Sequence, residues 1–118
     1  MNARLIRSTC SYLGIETPIV DSRDYPTSGS KTDRLISLLK QVGATAYLSG
    51  PAAKDYLDEQ QFREQSIRLE FKSYDYKPYP QQWGEFVSAV SVLDLIANVG
   101  PDSAEFLQSQ SPDVVAVP

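Results

Sequence analysis

The stretch Ala46-Tyr47-Leu48-Ser49-Gly50-Pro51-Ala52-Ala53-Lys54-Asp55-Tyr56-Leu57, set within residues 33–59, decides the fold. Upstream, Leu35, Ile36, Leu39 and Val42 recur at helical spacing and stop at Gly43, with Ser30 as N-cap and Asp33 three residues on. Ala44 to Ser49 is apolar enough for a strand inside a sheet. Gly50-Pro51 then opens a second helix, because proline at the first helical position forfeits no hydrogen bond. Asp58, with Gln61 three residues later, recaps the chain, so this helix is predicted to break into Pro51 to Leu57 and Glu59 to Gln65. Strand-to-helix units of this kind hold ligands in α/β proteins.

Working outward, Ile67, Leu69 and Phe71 alternate with Arg68, Glu70 and Lys72, which predicts a half-exposed strand at the sheet edge. Ile19-Val20 predicts a short strand running into Asp21-Ser22-Arg23-Asp24. Strand, helix, strand, helix, strand gives an α/β fold: a small three-layer domain with a three-stranded parallel sheet flanked by helices, a Rossmann-like half. Helices over Asn2 to Leu13, ending at Gly14, and from Ser91 to Val99, ending at Gly100-Pro101, are expected to cover the other face. Ser73 to Gly84 holds Tyr74, Tyr76, Tyr79 and Trp83 with two prolines, a loop that either folds over the core or lines a pocket. A short last helix is expected over 102–107. Residues 1–108 read as a single α/β domain and 109–118, lacking periodicity, as a flexible tail.

The chain has 118 residues, 42% hydrophobic and 22% charged, which is ordinary globular usage. Fifteen acidic residues against 11 basic ones leave a net charge of −4, which argues against a nucleic-acid partner because phosphate neutralisation dominates that affinity. No apolar run reaches the ~20 residues of a membrane span, and no signal peptide opens the chain, so no membrane partner and a cytoplasmic setting are expected. Cys10 is the one cysteine and histidine is absent, which removes the commonest metal ligand and general base; no metal and no cofactor are expected.

Ligands of open parallel sheets sit beyond the carboxyl ends of the strands, which here nominates Asp21 and Ser22, Ser49 and Gly50, and Tyr74. The amides of Ala52, Ala53 and Lys54, with the Lys54 charge, read as a receptor for an anion at a helix start. Each feature also has a plain structural reading: an efficient turn at Ser49-Gly50-Pro51, and helix capping for Asp33, Asp55, Asp58 and Asp94. Without histidine, acid–base work would fall to groups such as Asp33, Tyr56 or Asp94.

Leu13-Gly14-Ile15, Asp33-Arg34-Leu35-Ile36, Gly43-Ala44-Thr45, Tyr47-Leu48-Ser49-Gly50, Tyr56-Leu57-Asp58, Tyr79-Pro80-Gln81 and Ser91-Val92-Leu93-Asp94-Leu95 with Asn98 and Gly100 form an ordered series of blocks. It resembles the C-terminal half of WbqC-like proteins over roughly residues 3–107. The resemblance implies a bacterial protein of O-antigen, lipopolysaccharide or other surface-polysaccharide biosynthesis. It also implies a transferase of acyl or aminoacyl (glycine) groups to a sugar precursor, with Gln81 among the ligand contacts. Val87-Ser88-Ala89-Val90 departs from the family pattern, where a proline is expected, and the N-terminal half of the family lies outside this sequence, so catalysis is expected to depend on that half. The partner is then a small anionic metabolite or an activated sugar or amino acid, with a homodimer allowed. The alternatives are a noncatalytic ligand- or protein-binding module, signalled by a flat apolar patch on the first helix, and a mononucleotide-binding half-domain.

Overall fold

The structure, a computed structural model, describes residues 2–118. In chain order the regular elements are α1 (Asn2–Tyr12), α2 (Thr32–Gln41), β1 (Ala46–Ser49), α3 (Glu59–Glu64), β2 (Arg68–Phe71), α4 (Val92–Val99) and β3 (Val114–Val117). Short 3₁₀ helices occupy Ser22–Asp24, Pro51–Asp55 and Gly100–Phe106. Two units emerge from the packing. One comprises residues 2–19 with Tyr74–Gln110, the other Val20–Ser73 with Ser111–Pro118. Among the described residues no helix is long and apolar enough to cross a membrane.

The second unit carries a mixed three-stranded sheet in the order β1-β2-β3, flanked by helices. β1 and β2 are parallel, Ala46 opposite Arg68 and Ser49 opposite Phe71, as expected for a strand–helix–strand crossover. The expected third parallel strand at Ile19-Val20 is absent, because Pro18 on one side and the Asp21-capped 3₁₀ turn over Ser22–Asp24 on the other leave two residues, too little backbone to form a ladder. Its place is taken by β3, which runs antiparallel to β2 with Leu69 opposite Val117 and Phe71 opposite Val114. The sheet is therefore not all parallel, and the Rossmann-like assignment does not carry over. β3 also lies within residues 109–118, expected as a flexible tail but tied to the sheet by its pairing with β2. β2 is the central strand rather than an edge. Its alternation records burial of one face, Leu69 and Phe71, and says nothing about how many strands pair with it.

Local signals set the helices. Gly43 takes φ +69° after α2, and Asp58 caps α3 by accepting from the Gln60 amide at 3.0 Å while the Gln61 side chain donates to its other oxygen at 3.2 Å. α3 contributes Phe62, fully buried and stacked on Tyr47 at 6.0 Å, to a core that includes Ile36, Leu39, Ile67, Leu69, Phe71 and Val117. Replacing Val117 with aspartate puts an unpaired carboxylate into this core. We expect β3 to detach and residues 112–118 to become open to limited proteolysis, with wild-type cleavage rates arguing against β3 as a structural strand.

Asp113 anchors the start of β3. Its Oδ1 accepts from the Ser73 amide at 2.9 Å and from Lys72 Nζ at 3.0 Å, and these bonds, the amide first, hold its carboxyl below the usual carboxylate range. Because the folded pKa is the lower one, this contribution is fully present above the unfolded value of about 3.9 and is lost as pH falls through the folded value. Asp113→Asn should flatten the loss of urea resistance on acidification below about pH 4. Parallel acid limbs for the two proteins would exclude the linkage.

The first unit is held mainly by α4 and the turn that follows it. Ser91 caps α4 by accepting from the Leu93 amide at 3.1 Å, Leu95 is buried, and the fully buried Ser103 hydroxyl donates to the Gly100 carbonyl at 2.6 Å. The loop from 73 to 84 has no helix, and its one pairing is a bridge between Tyr76 and Ser109.

Candidate functional site

The Ser49-Gly50-Pro51 turn opens a 3₁₀ helix of five residues rather than an α-helix. Ala53 is buried and its amide already donates to the Gly50 carbonyl at 3.1 Å, while Lys54 Nζ lies 5.3 Å from the centre of the Phe71 ring. Of the three amides expected to receive an anion, that of Ala53 is thus used within the turn, and the Lys54 charge lies beside Phe71. Asp21 is likewise committed. It caps the Ser22–Asp24 turn, accepting from the Arg23 amide at 2.9 Å and from the Arg23 guanidinium, which holds its carboxyl at a pKa of about 2. Ser22 is the exposed first residue of that turn.

A cavity of about 690 Å³ in the same unit does gather two nominated residues, Ser49 and Tyr56, with Lys31, Thr32, Tyr47 and Asp55. Gly50, Ala52, Ala53 and Lys54 are outside its wall. Asp33 is exposed in the first turn of α2 and also outside. A Cβ on Gly29, which sits at φ +82°, would come within 2.8 Å of the Asp33 Cβ.

In the first unit the aromatic loop closes against α4 and the Gly100–Phe106 turn. Tyr74, Tyr76, Tyr79, Phe86 and Phe106 wall a cavity of about 500 Å³ together with Ser88, Val90, Ser91 and Val92. The rings meet edge to face: Tyr79 with Phe86 at 5.1 Å, Tyr79 with Phe106 at 6.0 Å, and Tyr74 with Tyr76 at 6.0 Å. Lys77 Nζ lies 4.6 Å from the centre of Phe106 and adds a cation beside this wall.

Asp94 fixes the wall from behind. Its Oδ2 accepts from the Tyr79 hydroxyl at 2.6 Å and from Gln81 Nε2 at 3.0 Å, and its Oδ1 accepts from Asn98 Nδ2 at 3.2 Å. Gln81 completes the clamp by donating to the Val87 carbonyl and accepting from the Val87 amide, both at 2.9 Å. Partial burial first, then donation to Asp94, pushes the Tyr79 phenol above its ordinary pKa, so it stays a donor across neutral pH. Of the nominated acid–base groups, Asp94 therefore accepts from three side-chain donors and serves to hold Tyr79. Tyr74 is in the cavity wall, and Gln81 acts through Tyr79 and Val87.

Residues 1–106 match the WbqC-like protein family, and these include every lining residue of the Ser49–Tyr56 cavity and all of the aromatic cavity's except Leu107. The chain belongs to the WbqC-like protein family. It is 48% identical over 109 residues to Uncharacterized protein Rv1507c of Mycobacterium tuberculosis, an alignment that takes in 92% of this chain and 47% of that protein. The WbqC-like chain thus spans about half the length of the curated relative it matches. No solved structure matches it.

Two of the blocks that carry the resemblance, Tyr79-Pro80-Gln81 and Ser91 to Leu95 with Asn98, are brought together in this WbqC-like chain by the Asp94 clamp. The sequence nominates Tyr74 and Gln81 as ligand contacts and places Tyr76 and Tyr79 in a loop that either covers the core or lines a pocket, but it does not point to Phe86 or Phe106. The signal was the density of tyrosines in 74–79, with the second wall supplied by a phenylalanine past α4 that no local pattern connects to them.

Proposed function

We propose that the aromatic cavity of this WbqC-like chain is a carbohydrate site. The chain is then the ligand-holding part of a protein that transfers an acyl or aminoacyl group to a sugar precursor of bacterial surface polysaccharide. The observation that carries the reading is the cavity wall itself. Five aromatic rings, one of them locked by Asp94, surround about 500 Å³, within the range of about 300–1,000 Å³ typical of small-ligand sites. A sugar ring has apolar C–H faces and a hydroxyl rim. Aromatic faces and edges complement the former, and the phenol and serine hydroxyls along the same wall complement the latter. Lys77 offers a cation suited to the phosphate of an activated sugar. In this reading the chain supplies binding and orientation, and transfer belongs to the longer protein.

Thermal-shift screening of nucleotide sugars, free nucleotides and amino acids at millimolar concentration tests it. A ligand at a hundredfold excess over its Kd adds about 2.7 kcal/mol to the folded state. Nucleotide sugars should raise Tm, and free nucleotides and amino acids should raise it less. No shift from any nucleotide sugar, or an equal shift from the free nucleotide, would remove the carbohydrate reading.

A further inference from the structure

α1 buries none of its residues, although it is amphipathic and eleven residues long. Leu5, Ile6 and Cys10 of α1, Leu13 just after it, and Val92 and Leu93 of α4 line an open apolar groove of about 370 Å³. Leu5 is 50% exposed, Ile6 52% and Leu93 46%. A helix this short is marginal in water without an apolar partner, and a contiguous apolar face of this kind marks an interface.

The aligned region accounts for 47% of the curated relative, so that relative carries about as much polypeptide again outside the match. In the second unit the core side chains Phe62, Leu69 and Phe71 are already fully enclosed by that unit's own sheet and helices. We propose that the α1–α4 groove receives the remaining portion of the WbqC-like fold, the part of the relative outside its 109-residue match, through an apolar ridge that buries Leu5, Ile6 and Leu93. This goes beyond the carbohydrate reading and does not depend on it.

Cys10 is the one cysteine of the chain, is partly exposed, and sits in the groove wall, so its alkylation rate reports occupancy. The chain is co-expressed with the segment of the relative that lies outside the match. A 1:1 complex is expected, with Cys10 alkylation slowed at least about tenfold and with Ile6→Asp and Leu93→Asp each weakening the complex by about tenfold or more, while Ile6→Val retains it. Absence of a complex between two soluble, folded partners overturns the proposal, as does a complex that leaves Cys10 alkylation unchanged. So does a homodimer of the chain alone that Ile6→Asp dissociates, which would assign the groove to a second copy. If the segment is insoluble alone, a chimera in which this chain replaces its counterpart in the relative gives the same reading by peptide mass analysis. Alkylation of Cys10 in the folded chimera at the rate of the isolated chain overturns the proposal.

Discussion

Asp94→Ala is expected to cost this WbqC-like chain more than tenfold in affinity for a nucleotide sugar and, in the same variant, to loosen the first unit. The substitution leaves the Tyr79 hydroxyl, the Gln81 amide and Asn98 without the carboxylate they converge on. Hydrogen bonds to a charged acceptor contribute about 1.5–3 kcal/mol each, and a tenfold loss of affinity corresponds to about 1.4 kcal/mol, so losing the clamp is sufficient for both effects. Once released, Tyr79 no longer holds its edge-to-face contacts with Phe86 and Phe106, and the wall loses its shape. Asp94→Asn keeps a carbonyl acceptor for Tyr79 and should retain a larger share of the affinity. Hydrogen exchange over 74–107 and calorimetric titration measure the two consequences separately. Unchanged affinity in a variant whose exchange has accelerated would show that the clamp is structural and the cavity is not the site.

Phe62→Ala should be the most destabilising single substitution in the second unit. The ring is fully buried, stacks on Tyr47 and fills the centre of the core that includes Leu69, Phe71 and Val117. Phenylalanine-to-alanine changes in cores cost about 3–5 kcal/mol, against a total of about 5–15 kcal/mol for a typical domain. A urea midpoint displaced by a large fraction of its wild-type value is therefore expected by far-UV circular dichroism. Phe62→Leu, which leaves a smaller void, should lie between the two. A midpoint within error of wild type for Phe62→Ala would mean that the core is not organised around α3.

What could be read in the sequence was local. Gly43 as a helix stop, Asp58 as a recap and Ser91 as an N-cap are decided by neighbours three or four residues away, and each sits where the pattern placed it. Ser30 illustrates the limit of such reading, since the capping position of α2 falls one residue later at Lys31, which takes φ 52° and makes no side-chain cap. The parallel pairing of β1 and β2 followed from the intervening helices. β3 did not. Val-Val-Ala-Val shows no alternation, and its partner β2 is remote in sequence, so only the finished sheet reveals that Val117 belongs opposite Leu69. The candidate site divides in the same way. Composition marked the tyrosine-rich loop as a pocket or core lining, yet the partnership of Tyr79 with Asp94, fifteen residues apart, is a tertiary fact. The Ser49-Gly50-Pro51 turn had the stronger motif and the weaker geometry, because a 3₁₀ turn consumes the Ala53 amide and Lys54 lies over Phe71.

The most direct measurement is an amide and aromatic side-chain chemical-shift titration of the labelled 13.1 kDa protein with a nucleotide sugar. Saturable shifts are predicted at Tyr74, Tyr76, Tyr79, Val90 and Phe106, with Ser49, Gly50 and Lys54 unmoved. Shifts confined to Ser49 through Tyr56, or none anywhere at millimolar ligand, would contradict the placement of the site in the aromatic cavity.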